Sequence, residues 1–347
     1  SSAASDVYKR QGTDKLPIII RRMREQIIAS GGEVHFACRM EELILERGEV
    51  RGVVCSGDRT FHGPVLLATG HSARDVYRYL HRAEILIEAK PIAVGVRLEH
   101  PQSLIDEIRY HSPEGRGKYL PAAEYVYKAQ AEGRGVYSFC MCPGGFVVPA
   151  STGPEETVVN GMSPANRGSR WANSGLVVEL HPEDIPATGI KVEDPASPLA
   201  LMQWCEAFEH KSYLAANRSL RAPAQRMTDF VARRHSSTLP SSSYTMGLTS
   251  SDLHEWMPDF ITRRLSAGFR AFDRTTRGFL TGEAQLIGVE SRTSSPVRIP
   301  RDRVTYAHPV VAGLYPAGEG AGFAGGIVSA AIDGENAAQQ IALALGR

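Results

Sequence analysis

At 347 residues the chain is too long for one ordinary core and long enough for two domains. Its 42% apolar and 22% charged content suits a globular protein, and a net charge of +1 excludes a whole-chain field that would gather nucleic acid or an anionic membrane. No apolar run approaches the roughly 20 residues of a membrane-spanning helix, no secretory pattern is present, and five cysteines without framework spacing point to a reduced, cytoplasmic setting.

In chain order, Ser1 to Gln11 has neither helical nor strand period and reads as a non-native leader. Thr13 or Asp14 is placed to cap a helix through Ile18-Ile19-Ile20 and Met23 to Ile28, which Gly31-Gly32 stops. Val34, Phe36 and Cys38 alternate with polar or small residues as in a strand. Glu42 to Glu46 and Val50 to Cys55 suggest a hairpin across Arg47-Gly48-Glu49. Val65-Leu66-Leu67-Ala68, ending in Thr69-Gly70, predicts a strand buried on both faces of a parallel sheet, followed by a helix carrying Val76 and Leu80.

The middle of the chain differs. Ile92 to Leu98, Val136 to Phe139, Phe146 to Val148, Thr157 to Asn160 and Leu176 to Leu180 are strand-like and separated by Gly, Pro, Ser and Asn, which predicts a largely antiparallel sheet. Helices are expected near Pro198 to Ala216 and Ser250 to Thr276, the second broken near Pro258. Strands return at Ala284 to Val289 and Pro296 to Ile299. Gly313 to Ala317 then reads as a buried strand running into a glycine-rich turn and a closing helix with Ile327, Val328, Ala331 and Ile332. The expected organisation is therefore α/β ends, 12–82 and 303–347, sharing one sheet around an inserted α+β domain at 83–302.

Gly320-Ala321-Gly322-Phe323-Ala324-Gly325 fits Gly-x-Gly-x-x-Gly between a strand and a helix. Only 22 residues follow Gly325, too few for a further strand bearing the acidic residue that grips a ribose. The motif is therefore expected in a final strand-to-helix turn. Bare glycine backbone permits close approach of a ligand, and a helix start near Gly326-Ile327 favours an anion. Reduced flavin carries negative charge around N1 and the C2 carbonyl, so such a helix start would favour the reduced form.

The segment Gly313 to Ile327 resembles the C-terminal flavin motif of FAD-dependent dehydrogenases of the glutathione-reductase-like superfamily, flavoproteins with two dinucleotide-binding domains. Leu66 to Asp75 is similar to the Ala-Thr-Gly segment of a bacterial group of predicted FAD-dependent dehydrogenases. Lys90 to Arg97, Phe139 to Gly145 and Glu290 to Pro296 look like other stretches of that group. The resemblance implies a partial Rossmann-like FAD-binding domain with FAD held by Ala68, Thr69, Gly70, Gly318, Glu319, Gly320, Gly325, Gly326 and Ile327. Glu319 is placed to accept hydrogen bonds from the ribityl hydroxyls. Members begin with a strand, a Gly-x-Gly-x-x-Gly turn and a helix, and no such segment precedes Thr13, so the chain is expected to be an N-terminally truncated fragment without its first βαβ unit.

The implied activity is hydride transfer between a small-molecule substrate and N5 of FAD, with NAD(P)H a candidate electron donor and no role for nucleic acid or membrane. An RNA-modifying flavoprotein and a non-catalytic nucleotide-binding fragment are the alternatives. Catalytic residues are not assigned. Cys142, with Cys140, is a candidate redox thiol set against an inert buried strand pair. Arg292, in Arg292-Thr293-Ser294-Ser295, is a candidate for a substrate carboxylate set against a solvated loop. Asn160 and Ser163 stand likewise, and His71, His181 and His308 are acid–base candidates set against capping roles. No Cys or His spacing suggests a metal.

Overall fold

A computed structural model describes residues 12–346; the expected leader at 1–11 lies outside them. The fold is mixed α/β around a large, mostly antiparallel sheet of seven strands. In spatial order these are Leu248–Ser250, Ala222–Arg226, Gln285–Glu290, Ile92–Pro101, Trp171–Leu180, Arg134–Cys142 and Lys128–Ala131. The pair at the first edge is parallel. At the centre, Ile92–Pro101 and Trp171–Leu180 pair along their whole length, from Ile92 opposite Leu180 to Pro101 opposite Trp171.

Alternation along these strands assigns the two faces different chemistry. Val94, Val96 and Leu98 join Leu176, Val178 and Leu180 in one core with Leu265, Phe269 and Phe272 of the helix Asp259–Thr275 and with Trp204 and Phe208 of Ala200–Ala215. Each fully buried side chain of this kind contributes about 1.5–3 kcal/mol. The residues between them, Arg97, Glu99 and Asn173, are polar and equally buried. A separate hairpin, Phe146–Pro149 with Val159–Met162, backs onto this polar face. No side chain fits at Gly161, whose backbone lies against the Arg97 guanidinium and the Asn173 amide. The two segments of this hairpin, expected within the main sheet, thus form a cover over it.

The chain ends form a second, thinner region. Met40–Glu46, Glu49–Cys55 and Arg59–His62 make an antiparallel sheet. Its first turn is the two-residue Arg47-Gly48, with φ of 54° and 80°, the left-handed pair that matches strand twist. Val65–Leu67 pairs in parallel with Leu314–Pro316, although some 247 residues separate them in sequence. Beneath them Leu43, Val50, Leu67, Tyr77, Leu80, Val297 and Leu314 form a small core.

Three expectations fail in this region. Val34 to Cys38 is not a strand: no neighbouring strand offers it hydrogen bonds, and Ala37 turns to φ 47°. The Val65–Leu67 strand is not covered on both faces, since Leu67 is buried while Leu66 is exposed. Thr13 and Asp14 do not cap the first helix. Thr13 N donates to Ser163 O at 2.9 Å and Asp14 Oδ1 accepts from Ala165 N at 2.7 Å, so both tie the chain to the segment that follows the covering hairpin instead. The helix itself spans Leu16–Ala29 and ends as expected, with Gly31 at φ 82° and Gly32 N bonding Ile27 O at 2.9 Å. It buries no residue, and Ile20 is 64% exposed. The closing helix, Ile327–Ala344, buries only Asp333 and Ala337.

Candidate functional site

The parallel pair decides where the sequence motifs meet. Val65 lies opposite Leu314 and Leu67 opposite Pro316, and Ala317 N continues the ladder to Leu67 O at 3.0 Å. The segments leaving the two strands, Ala68-Thr69-Gly70 and Gly318 to Gly326, therefore emerge side by side at the same end. Gly320 packs on the Gly70 backbone: a Cβ added at Gly320 would stand 2.6 Å from Gly70 O, too close to exist. Gly70 and Gly318 adopt φ of 76° and 75°, a region that favours glycine. Beside Gly70, Gly318 and Gly325 the space a Cβ would occupy is open, so bare main chain borders free volume at all three. Ala68, Thr69, Gly325 and Ile327 are exposed, Glu319 and Gly326 half-buried, and Gly318 and Gly320 buried.

Two side-chain clamps hold the turn. Asp333, one of the two buried residues of the closing helix, accepts from Gly318 N at 2.7 Å. Arg301 grips the same carboxylate through both terminal nitrogens, at 2.9 and 2.5 Å, and also bonds Pro316 O at 2.8 Å. Burial alone would raise the Asp333 carboxyl, but Arg301 and the Gly318 amide outweigh it and hold the group below the ordinary carboxylate range. On the other side Tyr77, fully buried, donates to Gly320 O at 2.7 Å and meets Ser295 Oγ at 3.0 Å. Burial pushes its hydroxyl up to about 12, so it stays a neutral donor. Phe323 lies with Arg301 4.0 Å and Arg298 5.4 Å from its ring centre.

At the helix start, Gly325 N reaches Ser329 Oγ at 3.3 Å and no side chain caps Gly326. The positive end of the helix is thus left facing the open side of the turn. Glu319 Oε1 sits 3.4 Å from His71 Nδ1, an ion pair when that histidine is protonated. Among the described residues no three His, Cys, Asp or Glu side chains gather as a metal site requires, and no helix is long and apolar enough to cross a membrane.

A family model described as "FAD-dependent protein, C-terminal domain-like" matches residues 91–293. The chain belongs to that family. The matched segment of the FAD-dependent family is the large-sheet region; the paired loops at Ala68–Gly70 and Gly318–Ile327 flank it in sequence. An uncharacterized protein of Clostridium beijerinckii (strain ATCC 51743 / NCIMB 8052) is 40% identical over 334 residues, covering 95% of this chain and 61% of the relative. The chain thus spans less than two thirds of that relative's length.

Within the family segment the remaining candidates divide. Cys140 adopts φ 44° at an irregularity in its strand. Burial pushes its thiol up to about 12 against the pull of Arg97, so little thiolate exists at neutral pH. Cys142 is buried, its sulfur 3.3 Å from Arg97 Nη2, which also donates to Cys140 O at 2.6 Å. Arg97 in turn holds Asn173 Oδ1 at 2.8 Å and Glu290 Oε2 at 3.1 Å. The Cys-x-Cys segment is therefore anchored by a buried guanidinium, which the sequence pattern did not flag because Arg97 sits in an apolar run.

Arg292 is not free for a substrate. It is buried and bonded to Glu209 at 3.1 Å, Glu156 at 2.7 Å and Thr152 at 2.5 Å. Arg74, beside the Thr69-Gly70 loop, bonds the same Glu209 at 2.8 and 2.9 Å, so this network fastens the thin region to the large sheet. Ser163 Oγ donates to Pro143 O at 2.6 Å, and Asn160 Oδ1 accepts from Gly161 N at 2.7 Å; both order the covering hairpin. His308 bonds Leu86 O at 3.0 Å and accepts from Val311 N at 3.0 Å, and His181 closes a capping box with Asp184; both are structural. His71 alone of the three histidines stands at the glycine-rich turn.

Proposed function

We propose that this chain is part of an FAD-dependent oxidoreductase, in which hydride passes between a small-molecule substrate and the flavin. The observation that carries the reading is the abutting of Gly70 and Gly320 at the ends of two parallel strands, with open space at Gly70, Gly318 and Gly325. It is the arrangement expected of a partial Rossmann-like site, and the family description supports the cofactor. When bound, FAD supplies the two-electron chemistry.

The chain's own residues bind and orient. Gly70, Gly318 and Gly325 admit the ring edge, and Asp333 with Arg301 fixes the angle at which the turn meets the closing helix. The helix start at Gly326-Ile327 directs partial positive charge to that edge and favours negative charge there. Glu319 would accept hydrogen bonds from the ribityl hydroxyls. The exposed apolar residues Ile20, Phe36 and Leu66 mark where further chain of the longer relative's kind would pack and complete the adenosine-binding half. A nicotinamide nucleotide is the electron donor in this reading.

The test is to produce the protein with the full length of its relative and record its absorbance. A yellow protein with flavin bands, bleached by NADH or NADPH, is expected. Gly325→Val, which fills open space beside the turn at a position without a left-handed backbone, should reduce flavin content at least about ten-fold while leaving the fold intact by circular dichroism. A colourless full-length protein that takes up no added FAD overturns the reading.

A further inference from the structure

Two cations border the glycine-rich turn without the carboxylates that such groups usually find. The short strands Glu88–Ala89 and Val297–Arg298 pair antiparallel, and Lys90 N extends the ladder to Pro296 O at 3.0 Å. This register brings Lys90 and Arg298 to the same side of the ladder. Both lie against Gly322: a Cβ there would stand 3.1 Å from Lys90 Cδ and 3.3 Å from Arg298 Cα. The absence of a side chain at Gly322 is what allows the two cationic residues to sit across the turn.

Neither charge is satisfied. Lys90 Nζ has three contacts, to Pro91 O, Ser294 Oγ and Ser295 O, each at 3.5 Å, the outer limit of a hydrogen bond. Arg298 Nε is buried with no partner, and its guanidinium only overlies Phe323. The nearest acids do not serve them. Glu319 is turned to His71, Glu88 opposite Arg298 is exposed, and among the described residues neither cation has an ion-pair partner within 4.0 Å. Burial and the Arg298 charge pull the Lys90 ammonium below the ordinary lysine range, and Glu319 restores it only in part. Two half-buried like charges with idle donors raise the energy of the empty protein, and an oxyanion placed between them would relieve both.

We propose that Lys90 and Arg298 form a receptor for an oxyanion group, a carboxylate or a phosphate, on the small molecule that reacts at the glycine-rich turn. This rests on the oxidoreductase reading for what happens next, but not for the binding itself. Lys90 supplies a point charge with rotatable donors, and Arg298 supplies a planar fork backed by Phe323. The substrate class is therefore an anionic metabolite, held by its charged end so that its reacting carbon lies toward the turn.

The experiment is calorimetric titration of the purified chain with inorganic phosphate and, separately, with succinate, each with and without FAD. Lys118→Met, on an exposed loop, is the control for net charge. Binding of either anion that weakens about ten-fold or more in Lys90→Met, and not in the control, is expected. Arg298→Lys, which keeps the charge but not the planar fork, should retain more affinity than Arg298→Met. The arm that binds more tightly tells carboxylate from phosphate. No binding of either anion, or equal binding in Lys90→Met with the fold intact, overturns the proposal. Displacement of the anion by FAD also overturns it, because the cations then serve the cofactor. Lys90-dependent binding in a chain that takes up no flavin upholds the receptor, while the flavin reading is decided separately by the absorbance of the full-length protein.

Discussion

The large-sheet region and the region of the chain ends use apolar residues in opposite ways. In the first, the helix Asp259–Thr275 sinks Leu265, Phe269 and Phe272 into the sheet. In the second, the helix Leu16–Ala29 carries as many apolar residues and buries none. The difference lies in what each helix packs on. The family segment has seven strands to offer a continuous face, whereas the ends pair two short strands beside one small sheet. A region can thus hold its glycine-rich turn in place by a few polar clamps while most of its apolar surface stays uncovered.

Phe269→Ala should cost about 3–5 kcal/mol of unfolding free energy, measured by denaturant titration, because the residue is fully buried and its neighbours belong to rigid strands. A loss under 1 kcal/mol would mean the large-sheet core is not the stability centre. Asp333→Ala should cost less, about 1–3 kcal/mol, by leaving Arg301 and the Gly318 amide without their acceptor. Hydrogen exchange should accelerate at Gly318 to Phe323 and stay unchanged in the large sheet; uniform acceleration would show that the two regions unfold as one.

The same carboxylate gives a pH signature. Its folded pKa lies below the unfolded value, so its contribution is present above about pH 4 and is lost as pH falls through the folded value. Glu209, held down by Arg74 and Arg292 against its own burial, loses its contribution in the same direction. Glu290 does the reverse: burial raises it despite Arg97, so its ionisation works against the fold as pH rises. Acidification should therefore release the chain ends and the Glu209 junction before the large sheet, followed by fluorescence of Trp204 and by exchange at Gly318. Coincident transitions would refute this order. The smallest effect belongs to Ile20→Ser, which should change stability by no more than about 0.5 kcal/mol because the side chain is already in water. A loss above 1 kcal/mol would show that this helix face is covered in solution.

Much of this was legible from residue order. Strand-like runs marked Ile92 to Leu98 and Leu176 to Leu180, which the structure extends to Pro101 and back to Trp171; glycines marked the turn at Gly320–Gly325, and Pro258 marked the break between the helices Leu253–Trp256 and Asp259–Thr275. These are local effects of backbone sterics and side-chain period, so a few neighbouring residues suffice to write them. The Val34–Cys38 strand failed because a strand exists only with a partner, which local pattern cannot supply. The site followed the same division. The glycines and Glu319 could be named from the motif, but Asp333, Tyr77, Lys90 and Arg298 could not. They act from outside the motif, and Tyr77 lies 243 residues from the Gly320 carbonyl it binds. Two pairings bring them together, Val65–Leu67 with Leu314–Pro316 and Glu88–Ala89 with Val297–Arg298, because hydrogen bonding between distant segments fixes a register that no local preference contains.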